Sequence, residues 1–222
     1  MNYRDPIIKC IPKEVYIPSD DTYLLIDYFK ESFCNENTLD HIEKILDMGT
    51  GTGIIAIFFA LLVKENQNFN AQIYASDILK EAIECAKMNE RENNLNNKIE
   101  FIQSDLFNSF PNSLKNIFNI IIFNPPYLPS FDKNNHYLKS KQDFSWNGGS
   151  TGFELLKEFL KYAPFYLKNN KNSCIYYISS SRMDLDSLYK FIQKIGFKNE
   201  ILRKKHYFFE DIILNKLTLS AI

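Results

Sequence analysis

Residues 124–127 read Asn-Pro-Pro-Tyr and follow the apolar run Ile120, Ile121, Ile122 and Phe123. Proline has no N–H for a strand ladder, so the pair ends a buried strand. The Asn124 side-chain oxygen and a backbone carbonyl near Pro125 could each accept one hydrogen of an NH₂ group. An amide or nucleobase amine needs such a grip, because delocalisation of its lone pair makes it a poor nucleophile. Two acceptors would draw the nitrogen toward tetrahedral geometry and stabilise the positive charge that grows on it. Pro125 and Pro126 fix φ and restrict the residues before them, so the acceptors are rigid in advance. Tyr127 could stack on the flat group. The same tetrad also suits an ordinary strand-ending turn.

A second constellation lies upstream. In "LDMGTGTGIIAI", Asp47 ends a strand, Gly49, Gly51 and Gly53 follow, and a helix begins. Glycines let the backbone turn sharply and approach a ligand, and the helix N-terminus offers free N–H groups to an anion. The spacing is not the dinucleotide G-x-G-x-x-G, and no Gly-Lys-Ser/Thr follows. A carboxylate suits these N–H groups better than a triphosphate. Asp77, at the next strand end, could accept both hydroxyls of a ribose, or could cap the following helix. Asp105, in "IQSDLF", could accept from a purine amine held between Ile78 and Leu106. Three ligand-type residues at the ends of consecutive strands mark the crevice of an α/β sheet.

These residues need elements to hold them. Short apolar strands are expected at 44–48, 72–76, 99–104, 117–123 and 173–179. Helices are expected at 53–64, 79–93, 153–167 and 183–195, the last closed by Gly196. Residues 198–205 and 207–217 read as a tight hairpin. A further helix, capped by Ser19 or Asp20 and with Tyr23, Leu24, Ile26 and Phe29 on its apolar face, precedes the first strand. The alternation predicts an α/β, Rossmann-like seven-stranded sheet, mostly parallel, with helices on both faces and an antiparallel C-terminal hairpin. Residues 128–150 are polar and show no clear period, which in a compact domain points to function or mobility.

The chain has 222 residues, 45% of them hydrophobic, and a formal net charge of −1. That suits one domain and gives no general attraction to polyanions. Cys10, Cys34, Cys85 and Cys174 are scattered, which argues for a reducing compartment and against a disulfide framework or structural zinc. The longest apolar run, Ile54 to Val63, suits a buried helix and is too short for a membrane span. With no secretory signal visible, a cytoplasmic protein without a metal or membrane partner is expected.

The G-x-G-x-G loop with Asp77 and Asp105 resembles the class I S-adenosylmethionine-dependent methyltransferases. The resemblance implies that Asp47 and Gly49 to Gly53 hold the methionine part of S-adenosylmethionine. Asp77 would then hold the ribose and Asp105 the adenine amine. The Asn-Pro-Pro-Tyr tetrad matches the motif of members that methylate nitrogen on a planar system, with Asn124 beside both cofactor and substrate. "EVYIPSDDTYLLIDYF" (14–29) is similar to the N-terminal signature of the short, archaeal and eukaryotic branch of the HemK/PrmC glutamine methyltransferases. "FSWNGGSTGFELL" (144–156) and "KKHYFFEDIILNKL" (204–217) resemble that family's later stretches.

The likeness implies methylation of the Gly-Gly-Gln glutamine of a class-one peptide chain release factor. It implies that residues 1–43 form a lid, with Thr22 at the methionine end, over a catalytic core of 44–217. Trp146, Gly148 and Gly149 would shape the substrate side, although Trp146 could equally plug an apolar gap. A small zinc-binding activator subunit beside the third strand is a further implied partner, with Phe101 at that edge. Lys133, His136, Lys139 and Lys141 fall in a variable insert and carry no implied role. The competing expectation is methylation of an adenine N6 or guanine N2 of RNA or DNA. A nucleic-acid enzyme must extrude its base and usually needs a basic groove, which the near-neutral charge disfavours. A non-catalytic scaffold would usually have lost the glycine loop or the tetrad, and both are kept.

Overall fold

The computed structural model describes residues 4–33, 41–129 and 148–219. Trp146 and the insert residues Lys133, His136, Lys139 and Lys141 lie outside the described residues. The elements run α1 (Asp20–Ser32), β1 (Lys44–Met48), α2 (Ile54–Glu65), β2 (Gln72–Asp77), α3 (Lys80–Glu92), β3 (Ile99–Gln103), β4 (Ile120–Phe123), α4 (Glu154–Tyr166), β5 (Cys174–Ser180), α5 (Leu185–Lys194), β6 (Phe197–Tyr207) and β7 (Glu210–Leu219). They form a seven-stranded sheet in the order β3-β2-β1-β4-β5-β7-β6. β1 to β5 pair in parallel, and β7 is antiparallel to both β5 and β6. This is the Rossmann-like arrangement expected from the alternation of elements.

The strands are apolar on both sides because both faces of the sheet are covered. Ile45, Ile73, Ile120, Ile122, Tyr176 and Leu214 meet α1 and α2 in one core. Leu46, Tyr74, Ile121, Phe123, Ile175 and Leu217 meet α4 and α5 in the other. Neighbouring residues of a strand thus serve opposite cores, as the pleat requires. α2 is buried along Ile54–Leu62, which accounts for its unbroken apolar run.

Two expectations are corrected. Ile117 and Phe118 do not belong to β4. Phe118 bridges Leu167 instead, and the Asn119 side chain accepts from the Glu43 and Lys44 N–H groups at 2.9 and 3.0 Å, pinning the start of β1. On α1, Tyr23 is half exposed, and the buried face is Leu24, Leu25, Ile26 and Phe29. Ser19 occupies the N-cap position, but its side chain makes no capping bond. Among the described residues no helix is long and apolar enough to cross a membrane.

The strand order reverses between β1 and β4. Loops leaving the carboxyl ends of these neighbours diverge and open a crevice, where ligands of open α/β sheets bind.

Candidate active site

The crevice holds a cavity of ≈ 340 Å³. Its walls come from four strand ends and from the segment before and into α1. Thr22, Gly49, Gly51, Asp77, Ile78, Asp105, Leu106, Asn124, Pro125, Pro126 and Tyr127 all line it. Residues far apart in sequence are therefore brought to one space.

Asp47 lies elsewhere. Its carboxylate is buried beneath the glycine loop, accepting from the Thr50 hydroxyl at 2.6 Å and the Ala56 N–H at 3.2 Å. Burial pushes its pKa up to about 7, against the lowering pull of those two bonds. Asp47 braces the loop against the first turn of α2 and does not line the cavity. Gly53 is also off the wall. It starts α2 with φ 84°, and a Cβ there would meet Ala86 Cβ at 2.8 Å. It allows α2 and α3 to approach closely, where any side chain would force them apart.

Asp77 ties the loop to the next strand end. It accepts from the Gly51 and Leu79 N–H groups, each at 2.9 Å. Desolvation raises its pKa, while these bonds act in the opposite sense. Asp105 is exposed at the far end of the crevice, where the Asn108 amide donates to it at 3.3 Å.

Gly148 and Gly149, expected at the substrate side, do not line the cavity either. The Gly148 N–H donates to the Leu128 carbonyl at 2.8 Å. A Cβ on Gly148 would lie 2.3 Å from the Gly152 carbonyl oxygen and 2.8 Å from that of Pro126. This turn supports the Pro-Pro-Tyr backbone from behind and leads into α4, where the Glu154 N–H donates to Gly148 at 3.1 Å.

The acceptor end is organised by a residue that sequence reasoning missed. Asp21, in the first turn of α1, is 3% exposed and pairs with no cation among the described residues. Four donors surround it: the Tyr16 hydroxyl, the Thr22 N–H and hydroxyl, and the Tyr127 hydroxyl. Burial, and then the Asp21 charge, push both phenols well above their usual range. A carboxylate can only accept, so Thr22 Oγ1 donates to it at 3.1 Å. Thr22 Oγ1 is then free to accept, and it does so from Asn124 Nδ2 at 3.3 Å. In this chain of bonds the Asn124 amide turns its Nδ2 toward Thr22. Asn124 Oδ1 is left buried with no hydrogen-bond partner among the described residues. Such an atom costs about 1–3 kcal/mol unless something donates to it.

The signal for Asp21 was available in "SDDTY". Two acids in a helix's first turn read simply as complements to the helix dipole. Their burial against Tyr127, 106 positions away, is a tertiary fact.

Residues 39–202 match the family model described as a methyltransferase domain. A protein of Methanocaldococcus jannaschii, provisionally named a protein N5-glutamine methyltransferase, is 32% identical over 202 residues, covering 90% of this chain and 90% of that one. The chain belongs to the methyltransferase family, in its HemK/PrmC-type branch. The release factor glutamine methyltransferase of Lactococcus lactis subsp. lactis is 33% identical over 171 residues. That match covers 76% of this chain but 57% of the bacterial one. Among solved structures, the E. cuniculi Mtq2–Trm112 complex, described as responsible for methylation of the eRF1 translation termination factor, shares the fold at TM-score 0.64. Its identity is 20%, over 93% of this chain and 99% of that chain.

Proposed function

We propose that this methyltransferase transfers the methyl group of S-adenosylmethionine to the side-chain amide nitrogen of a glutamine in a peptide chain release factor. The observation that carries the reading is the buried Oδ1 of Asn124, a residue of the cavity wall, which has no hydrogen-bond partner among the described residues. An NH₂ donor is the chemistry it lacks. The names of the two relatives favour a glutamine amide over other NH₂ groups.

The residues present fit the cofactor. The cavity is of ligand size. The glycine loop and the start of α2 offer backbone N–H groups to a carboxylate. Asp77 keeps lone pairs for ribose hydroxyls, and Asp105, with Ile78 and Leu106 beside it, suits the adenine. When bound, S-adenosylmethionine supplies an electrophilic methyl on a sulfonium, which departs as a neutral thioether. Asn124 Oδ1 accepts one amide hydrogen, and the rigid Pro125–Pro126 backbone offers a second acceptor. Together they turn the nitrogen lone pair toward the methyl and stabilise the charge that develops there. The nitrogen then sheds one proton, acidic only after transfer, so no strong base is required. Thr22 and Asp21 keep Asn124 from presenting its NH₂ instead. Tyr127 walls the acceptor side, with its hydroxyl held by Asp21.

The enzyme acts in the cytoplasm on this reading. A small zinc-binding partner subunit would add to the outer edge of β3. Among the described residues that edge is unpaired in the sheet, and Phe101 there is half-buried under Lys87.

A labelled-methyl assay with three acceptors tests the proposal: a release factor, a Gly-Gly-Gln peptide and structured RNA. Label in the release factor is expected. Label in RNA alone would replace glutamine by a nucleobase amine.

A further inference from the structure

We propose that the tip of the β6–β7 hairpin is a docking collar for the protein that carries the acceptor glutamine, an inference that rests on the glutamine reading above. Phe208 and Phe209 form the turn and are 91% and 90% exposed. Tight hairpin turns favour Gly, Asn or Asp, which enter the left-handed region cheaply. Phe208 sits in that region, with φ 47°, where a bulky side chain is an outlier. Two bare phenyl rings thus stand where the backbone prefers small or polar residues.

The tip lies at the acceptor end of the crevice, and two lines of contact show this. α1 runs beside β6: Glu31 pairs with Arg203, whose guanidinium lies 5.4 Å from the Tyr28 ring centroid. Further toward the tip, the Lys205 ammonium lies 5.0 Å from the Tyr207 ring centroid, and Tyr207 and Tyr127 pack against the same core. β7 runs antiparallel to β5 with Ile212 opposite Ser180, so the tip stands at the carboxyl edge of the parallel strands, where the crevice opens. On the other strand, Glu210 follows Phe209 directly and accepts from the Ser180 hydroxyl. Its charge adds to burial and Asp21 in raising the Tyr127 phenol. Ile17 (65% exposed), between the wall residues Tyr16 and Pro18, extends the apolar border on the strap.

Whatever brings a glutamine side chain to Asn124 must lie across this border. The local charges favour a protein over a nucleic acid. Lys204 and His206 are both paired with Asp211, and Arg203 with Glu31. Lys204 and His206 share one carboxylate, Lys205 lies over the Tyr207 ring, and the two exposed phenyl rings are the larger uncovered feature of the tip. Exposed aromatic pairs of this kind act as anchors in protein interfaces.

The test compares wild type with Phe208→Ser/Phe209→Ser on an intact release factor and on a short Gly-Gly-Gln peptide. Thermal melting and calorimetric binding of S-adenosylmethionine report on fold and cofactor site. The collar predicts an increase of about tenfold in KM for the intact protein. It predicts unchanged kcat, unchanged kinetics on any peptide turnover, unchanged melting and unchanged cofactor affinity. An unaltered KM for the protein, or equal losses on protein and peptide, would overturn it. If wild type labels neither glutamine acceptor, the glutamine reading itself fails and the collar goes with it. If wild type labels the protein and the variant matches it, the collar alone is wrong.

Discussion

The two halves of the crevice are built differently. On the cofactor side the key polar groups are already engaged with backbone. Asp77 receives two N–H groups, and Asp47 locks the glycine loop to α2 from below. At the Asn124 end, Asp21 and Thr22 of α1 hold one another, and the last in line, Asn124, has an acceptor with no partner among the described residues. The first half is a preformed seat shaped by short-range turns. The second is a relay of side-chain hydrogen bonds, which on the proposed function a substrate completes. This separation predicts that binding and catalysis can be damaged independently.

The sharpest way to break the comparison is Asn124→Ala. Cofactor affinity should stay nearly intact, while kcat falls at least about a hundredfold, a barrier change of about 3 kcal/mol. Calorimetry and single-turnover transfer measure the two quantities. Parallel losses in both would mean that the halves are not separate.

Asp77→Ala is the converse. The dissociation constant for S-adenosylmethionine should rise roughly 10- to 100-fold, by about 1.4–2.7 kcal/mol. Transfer from the saturated enzyme should change far less. Unchanged calorimetric affinity would remove Asp77 from the cofactor seat.

Asp21→Asn sharpens the acceptor half. An amide can donate as well as accept, so Thr22 is no longer forced to donate, and Asn124 can turn. A drop in kcat of about tenfold is expected, with KM for cofactor unchanged. Thr22→Ser, which keeps the hydroxyl, should retain most activity, whereas Thr22→Val should behave like the Asp21 variant.

The last prediction concerns stability. The folded-state pKa of Asp47 is raised, to about 7, above its usual carboxylate value. The native state therefore holds this proton more tightly than the unfolded chain does. Its contribution is fully present below about pH 4 and is lost as pH rises through about 7. Asp47→Asn should flatten that part of the stability–pH curve in denaturant titrations, an effect on the order of a few kcal/mol at most. An unaltered slope would show that Asp47 is not the titrating group.

The same contrast explains what could be read from the sequence. The sheet was legible because a strand covered on both faces must be apolar throughout, and Ile120–Phe123 shows this in four letters. The glycine loop was legible because glycines in a strand-to-helix turn act locally. Even so, Asp47, Gly53, Gly148 and Gly149 were expected at the ligand, and the structure places them off the cavity wall. Spacing shows that such residues sit in a loop, not which way they face. Asp21 was illegible because the partner that ties it to the cavity wall, Tyr127, lies at another strand end, and only tertiary packing brings a helix-start acid there.

The central claim is best tested by a structure of the enzyme with S-adenosylhomocysteine and a Gly-Gly-Gln peptide. The account predicts the glutamine side-chain nitrogen within about 3.2 Å of Asn124 Oδ1, with Asn124 Nδ2 still on Thr22. An Asn124 amide turned the other way, or a glutamine nitrogen held by other residues, would contradict it.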